Sequence, residues 1–482
     1  MTNVEEEEPL SPVAQVYQSP GIDYCVVTII GFKTKINAHV IIDDLRHNVY
    51  KHPRFSCKLG SDGTKWIKTK VNIEDHVVIP TVDLEEIGED GDGFVDDYVS
   101  RLTMIPLDKS RPLWDIHILN VKTSDAEAVS VIRSHHSLGD ATSLMSLLVA
   151  CTRKTSDPET FPTIPALKRR ETRSFGLNDK DWFTKFIFAM CNALRLIWNT
   201  SIDLLLLLAT LLFLKDTETP LRSHTGTDSR RSMKRFYHRA VSLDDIRHIK
   251  KAMNMTINDV LLGIIQAALS RYMNGRYDKR NVEGGTSKSD TSNLPQRIRF
   301  RAVLAVNLRS EIGLQPLAGM IHKGSKCRWG NCISLAVVPF FIGLETDPLV
   351  YLTKTKSTMD RKKNSLQATI MYWFLKLSLS MLGAKVGGFL LKLLFSNTTI
   401  CVSNVVGPVE EVSYQGQPIA YISLSGYGHS QALLIHFLSY AEKMVISIAV
   451  DPSVIPDPHK LFDEMEESLK AIKNSLLERD LF

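Results

Sequence analysis

The segment His135-His136-Ser137-Leu138-Gly139-Asp140 places two imidazoles and a carboxylate within one short run. Neutral imidazole is the side chain suited to take a proton from a hydroxyl near neutral pH, so His136 reads as a general base. Asp140 could fix the ring, or the backbone that carries it. The same run also fits a buried histidine pair with a capping aspartate, and from residue types alone both readings stand. A metal site fits poorly: adjacent histidines on a strand do not converge on one ion, and no third ligand is evident. The sequence has no Gly-x-Ser-x-Gly elbow, no P-loop and no dinucleotide glycine fingerprint. Nothing marks a covalent Ser or Cys nucleophile.

The motif needs elements to hold it. Residues 128–133 read as a strand and 141–151 as a helix, which puts the motif on a strand-to-helix turn. Gly139 gives that turn conformational latitude, and Asp140 is placed to cap the helix. Strand signals recur at 24–32, 301–308, 399–403, 420–425, 433–440 and 444–450. Helical spacing appears at 40–49, 242–252, 256–272 and 458–477, the last with Asp457 as N-cap and Pro458 at its first position. Residues 276–298 are polar and Gly/Ser-rich and read as a surface loop. Residues 370–395 are apolar; Gly383, Gly387 and Gly388 weaken them as one helix, and they are expected in the core.

These elements suggest two α/β halves, residues 13–152 and 222–482. An acidic lead-in, 1–12, is expected to be disordered and lacks the pattern of a secretory signal. Between the halves lie a polar, proline-bearing linker, 153–181, and a hydrophobic helix, 182–216.

The stretch 186–214 is long and apolar enough to span a bilayer. Its polar residues nevertheless form one narrow stripe: Asn192, Arg195, Asn199, Asp203 and Thr210, with Lys185 on the same line. Arg and Asp are unfavourable at membrane depth, so a lone lipid-spanning helix would not carry such a stripe. A helix lying in the interface, or packing its stripe on the protein, would.

Composition sets the outer limits. Of 482 residues, 44% are hydrophobic and 23% charged, which is ordinary for a globular chain with a large core. A net charge of +5 is small for this length and does not point to nucleic acid. Seven scattered cysteines without a C-x-x-C pair argue against a structural zinc or disulfide framework and for a reducing compartment.

Four segments in order carry a family resemblance: Arg111-Pro112-Leu113-Trp114, then His135–Asp140, then Asn258-Asp259-Val260, then Ser403-Asn404-Val405-Val406-Gly407-Pro408. Ala305-Val306-Asn307-Leu308-Arg309 and Gly330-Asn331 lie between the last two. Over roughly residues 10–475 the chain resembles the plant branch of the bifunctional wax ester synthase/diacylglycerol acyltransferases, in the coenzyme A-dependent superfamily with an His-His-x-x-x-Asp-Gly motif. One departure is that the glycine following the Asp is Ala141 here, which suits a position that begins a helix and would strain one needing positive φ.

The resemblance implies two chloramphenicol-acetyltransferase-like half-domains facing across a tunnel, with His136 at its middle. It implies a fatty acyl-CoA donor, a substrate and not a cofactor, and a long-chain fatty alcohol or diacylglycerol as acceptor. His136 would deprotonate the acceptor hydroxyl, with no acyl-enzyme and no metal. Asp140 would be structural, paired with Arg309, while His135 packs and Gly139 supports the turn. Asn258, Asp259, Ser403 and Asn404 would line the tunnel or position substrate, although each could instead cap a helix or turn. Both halves building one site must lie on one side of a membrane, so the 186–214 helix is expected to be interfacial or re-entrant. The endoplasmic reticulum membrane is the implied location, with the plasma membrane as alternative.

Two other readings compete. A soluble alcohol or amine acyltransferase of specialised metabolism would carry Asp-Phe-Gly-Trp-Gly near its C-terminus, which is absent. A non-catalytic lipid-binding protein could keep the fold, but retention of His136 and Asp140 argues against it.

Overall fold

The structure is a computed structural model, and it describes residues 7–19, 22–81, 90–163, 168–169, 182–222, 233–283, 293–309, 311–312, 314, 316–317, 320, 329–428 and 430–481. Residues 1–6 of the acidic lead-in, most of the second half of the linker, and residues 284–292 of the polar loop lie outside the described residues. The rest of the lead-in is not disordered as expected, since Glu7–Pro9 pairs antiparallel with Lys65–Ile67.

Two sheets organise the molecule. A seven-stranded sheet runs in the order Val77–Val78, Trp114–Leu119, Ala128–His135, Cys25–Phe32, Gln417–Tyr427, Val412–Tyr414, Arg153–Lys154. A six-stranded sheet runs Arg235–Ser242, Lys443–Val450, Leu433–Tyr440, Ile400–Val406, Phe300–Asn307, Ile333–Phe340. Sheet membership therefore does not follow the division of the chain at residue 222. Gln417–Tyr427 leaves the second half and pairs antiparallel with Cys25–Phe32 of the first, Leu424 opposite Thr28 and Tyr427 opposite Cys25. This crossover strand makes each half depend on the other.

The strands that bury both faces are near-continuous apolar runs, as Leu433–Tyr440 and Lys443–Val450 show. Alternate residues of these strands serve different layers. Leu433, Ile435 and Phe437 join the core of the second half. Leu434, Val445 and Ala449 face the other way and meet Cys25, Val27 and Ile29 of the first sheet. The two sheets are thus joined by a packed layer, and the site forms where that layer gives way to polar residues.

The helix Ala141–Cys151 and the strand Leu433–Tyr440 lie where the sequence places them. Other elements differ. The helix expected to end near Tyr272 continues as Ile257–Glu283 into the region read as loop. Asn274-Gly275 does not stop it, because one glycine costs only about 1 kcal/mol within a helix and the extension is tied to the protein by Arg276, which donates to the Val454 carbonyl at 3.3 Å. The 370–395 stretch is two helices, Gln367–Leu382 and Ala384–Ser396, broken at Gly383 with φ 77°. It is not core: Trp373, Phe374, Leu377, Met381 and Phe389 are all more than half exposed. The glycines mark the break and carried no information about burial.

The hydrophobic stretch is a single helix, Trp182–Leu212. From Asn199 onward its polar stripe packs on the protein. Asn199 donates to the Asn364 carbonyl at 3.1 Å. Asp203 is fully buried and pairs with Arg361 and Lys362 at 2.8 and 2.9 Å. Thr210 Oγ1 accepts from Arg301. Asn192 and Arg195 instead stay exposed with the residues around them, so the N-terminal half of the helix stands clear of the body.

Candidate active site

Residues 128–135 form a strand between Cys25–Phe32 and Trp114–Leu119. The chain then turns, and Asp140 caps the next helix, its Oδ1 accepting from the Ser143 amide at 3.0 Å. Ala141 is the first helical residue and has no positive φ, so alanine fits where the resembling family has glycine. Gly139 has an ordinary φ as well. What it supplies is space and not the expected latitude: a Cβ there would lie 3.1 Å from Ser143 Cβ and 3.3 Å from the Trp329 ring.

A segment from beyond the strand Phe300–Asn307 clasps the turn. Trp329 Nε1 donates to the Leu138 carbonyl at 2.7 Å, and the Cys332 amide to Asp140 Oδ2 at 2.9 Å. Gly330 adopts φ 116°, a conformation open to glycine, and exchanges hydrogen bonds with the Ser143 hydroxyl. Arg309 Nη1 meets Asp140 Oδ2 at 2.8 Å, both side chains being almost wholly buried. Its Nη2 donates to the Gly330 carbonyl at 2.9 Å and to Ser143 Oγ at 3.1 Å. The paired and hydrogen-bonded charges thereby hold the two halves together at the motif.

His136 packs against Tyr17 and Tyr24, with ring centroids 4.5 and 5.0 Å away. Its Nδ1 lies 2.9 Å from Asn331 Oδ1, while Asn331 Nδ2 donates to the His136 carbonyl at 2.8 Å. A carbonyl only accepts, so the amide orientation is fixed and its oxygen faces the ring. Nδ1 must then carry the proton, leaving the Nε2 lone pair as the basic site. Burial pushes the His136 pKa down to about 4, against the opposing charge of Asp140. The ring is neutral at neutral pH.

This imidazole lines a cavity of about 490 Å³ between the halves. Ser403 and Asn404, from Ile400–Val406, line it, as do Asn307, Ser425 and His436. Asn258 and Asp259 are not among its lining residues. Asp259 accepts from the Thr256 amide at 3.0 Å, Thr256 Oγ1 accepts in return from the Asp259 amide, and Lys363 pairs with Asp259 at 2.7 Å. That is a capping box at the start of Ile257–Glu283, the structural alternative.

His135 is buried beside His136 but points elsewhere. Its Nδ1 contacts Ser137 Oγ at 2.7 Å and Gln18 Nε2 at 3.1 Å, and its Nε2 faces Asp23 at 3.4 Å. Among the described residues, Asp23, Cys25 and His135 bring metal-ligating atom types within 4.8 Å of one another. The Asp23–His135 pairing accounts for that arrangement, and burial pushes the Cys25 thiol far above its ordinary value. Asn331 and His436 were not singled out from residue types. Only the Gly330-Asn331 pair, quoted for the resemblance, pointed toward the first.

Two sheets thus meet at a cavity lined by the neutral imidazole of His136. The catalytic-domain model of the wax ester synthase/diacylglycerol acyltransferase family matches residues 41–261, and the C-terminal-domain model of the same family matches 329–473. The chain belongs to this family. It is 62% identical to wax ester synthase/diacylglycerol acyltransferase 7 of Arabidopsis thaliana over 99% of both chains. It is 63% identical to wax ester synthase/diacylglycerol acyltransferase 10 of the same plant over 98% of each. Among solved structures, a wax ester synthase/diacylglycerol acyltransferase from Marinobacter aquaeolei VT8 shares the fold with TM-score 0.58 and 17% identity, covering 97% of this chain and all of that one.

Proposed function

We propose that the chain moves a long-chain fatty acyl group from coenzyme A to a fatty alcohol or diacylglycerol, with His136 Nε2 as general base. Family membership makes it an acyltransferase. The observation that carries the base assignment is the amide of Asn331, which leaves Nε2 unprotonated. His136 takes the hydroxyl proton as the alcohol oxygen attacks the thioester carbonyl. The collapsing intermediate expels the thiolate, which receives that proton. No acyl-enzyme forms and no metal or cofactor enters, so the substrates are the only partners the reaction consumes. Asp140 and Arg309 position the motif turn without touching substrate. Ser403 and Asn404 face the cavity, where they hydrogen-bond the reactants.

The donor and acceptor are lipids, and an exposed apolar face supports a membrane surface as their source. Phe183, Phe186, Leu194, Ile197 and Trp198 of the helix Trp182–Leu212 are more than half exposed. The helices Gln367–Leu382 and Ala384–Ser396 add Trp373, Leu377 and Phe389. Lys376 lies 5.0 Å from the Trp373 ring, where an ammonium can meet anionic headgroups while the indole enters the leaflet. The packed stripe at Asn199, Asp203 and Thr210 keeps the helix on the protein. In this reading it lies in the interface of the endoplasmic reticulum membrane, with both halves on the cytosolic side. Radiolabelled palmitoyl-CoA offered to the purified full chain with hexadecanol, and separately with diacylglycerol, tests the reaction. Ester with either acceptor supports it; none with both leaves a lipid-binding protein.

A further inference from the structure

Ala141 borders two cavities at once. It lines the chamber around His136, and it lines a second, largely apolar cavity of about 180 Å³ behind the motif helix. Leu424 of the crossover strand is shared in the same way. The second cavity lies between the seven-stranded sheet and the helices Ala38–Asn48 and Ala141–Cys151.

Its direction follows from the register. At the motif end, Ser134 is paired with Val26; at the other end, Ala128 and Ile419 flank Phe32. The motif helix runs the same way. Arg153 pairs with Ser413, beside the strand carrying Ile419, so Cys151 sits at the far end. Ala141 stands at the neck, and an 11-residue helix spans about 16 Å from neck to floor.

We propose that this second cavity binds the hydrocarbon tail of the acyl donor, with Ala141 and Leu424 as its neck and Cys151 at its floor, and that it sets acyl chain length. The inference rests on the acyltransferase reading above. A thioester whose carbonyl reaches Nε2 of His136 keeps its charged nucleotide in water, so its tail must turn into apolar space. Ala141 directly follows Asp140 and opens that space beside the reacting centre. A neck formed by two side chains suits one chain, whereas diacylglycerol carries two. The chamber also reaches the helix Ala384–Ser396 at Leu391 and Phe395, beside the exposed apolar face, where an acceptor arrives from the leaflet. The alanine narrows the neck relative to the glycine usual in the resembling family.

Cys151→Trp fills the floor, on a half-buried residue remote from the chemistry. Across octanoyl-, decanoyl-, palmitoyl- and stearoyl-CoA with one alcohol, kcat/KM for the longest donors is expected to fall about tenfold, while the shortest donors are spared. Cys151→Ala is expected to move the optimum toward longer donors. The alcohol-length profile at fixed donor stays unchanged in both. An unaltered donor profile in both variants, or a shift in the alcohol profile instead, overturns the proposal. A second measurement does not depend on turnover. In a Cys191→Ser chain, palmitoyl-CoA but not acetyl-CoA, a thioester without the long tail, should slow maleimide alkylation of Cys151, followed by mass spectrometry. Equal rates overturn the tail site even in an active enzyme. Protection in a chain that acylates no acceptor would retain the site and sink the acyltransferase reading.

Discussion

Asn331 grips His136 at two points, its Oδ1 2.9 Å from the ring Nδ1 and its Nδ2 2.8 Å from the same residue's carbonyl. The two contacts set both the position of the ring and the nitrogen that bears its proton. Asn331→Leu should lower kcat by about 10–100-fold, the range for losing a partner that orients a functional imidazole, with KM for the donor little changed. Asn331→Asp replaces the amide oxygen with a carboxylate that favours imidazolium, so the acid limb of the pH–rate profile should move upward from near pH 4. An acid limb in the wild type at the ordinary histidine value, unmoved by Asn331→Asp, would contradict this role.

Asp140 and Arg309 form a buried pair that joins the motif turn to the other half. Arg309→Leu leaves a carboxylate buried without its partner, which typically costs about 3–5 kcal/mol. Urea denaturation should show that loss, and the pH–rate profile of whatever enzyme remains folded should keep its shape, because neither residue exchanges protons with substrate. A variant as stable as the wild type would contradict the structural role of the pair.

Acid should destabilise the fold through buried neutral histidines. Burial holds His52 near 3 and His136 and His436 near 4. In the unfolded chain these rings titrate near 6.5. Below that value the unfolded state binds protons that the folded state refuses, so stability is full above it and falls as pH drops toward 4. Three such protons give a slope of up to roughly 4 kcal/mol per pH unit. Urea midpoints at neutral and mildly acidic pH check the sign; a midpoint that holds or rises on acidification contradicts it.

The motif turn and the Asp140–Arg309 pair were legible because they sit in a short contiguous motif and beside a strand quoted with it. Arg309 follows the strand Phe300–Asn307, and the pairing came from family likeness. Asn331 was not legible in the same way. A single asparagine carries no periodic signal, and its partner lies far away in sequence. The crossover strand Gln417–Tyr427 reads as a strand, but no local pattern reveals which sheet it joins. The helices Gln367–Leu382 and Ala384–Ser396 were misplaced because composition cannot separate an apolar face that meets protein from one that meets lipid. The stripe on Trp182–Leu212 could make that distinction only where Asn199, Asp203 and Thr210 find partners.

Membrane docking should need both apolar surfaces. In flotation with liposomes containing anionic lipid, Phe186→Asp and Trp373→Asp should each lower the bound fraction, and together abolish it. If Trp373→Asp binds like wild type while Phe186→Asp does not, the single helix docks alone.

The most direct measurement is the single-turnover rate of ester formation from palmitoyl-CoA and hexadecanol in His136→Ala, compared with wild type. Circular dichroism and urea midpoint would verify that the variant is folded. A fall of about 10²–10⁴-fold is expected for loss of the general base. A folded variant that forms ester within a few-fold of the wild-type rate would contradict the assignment of His136.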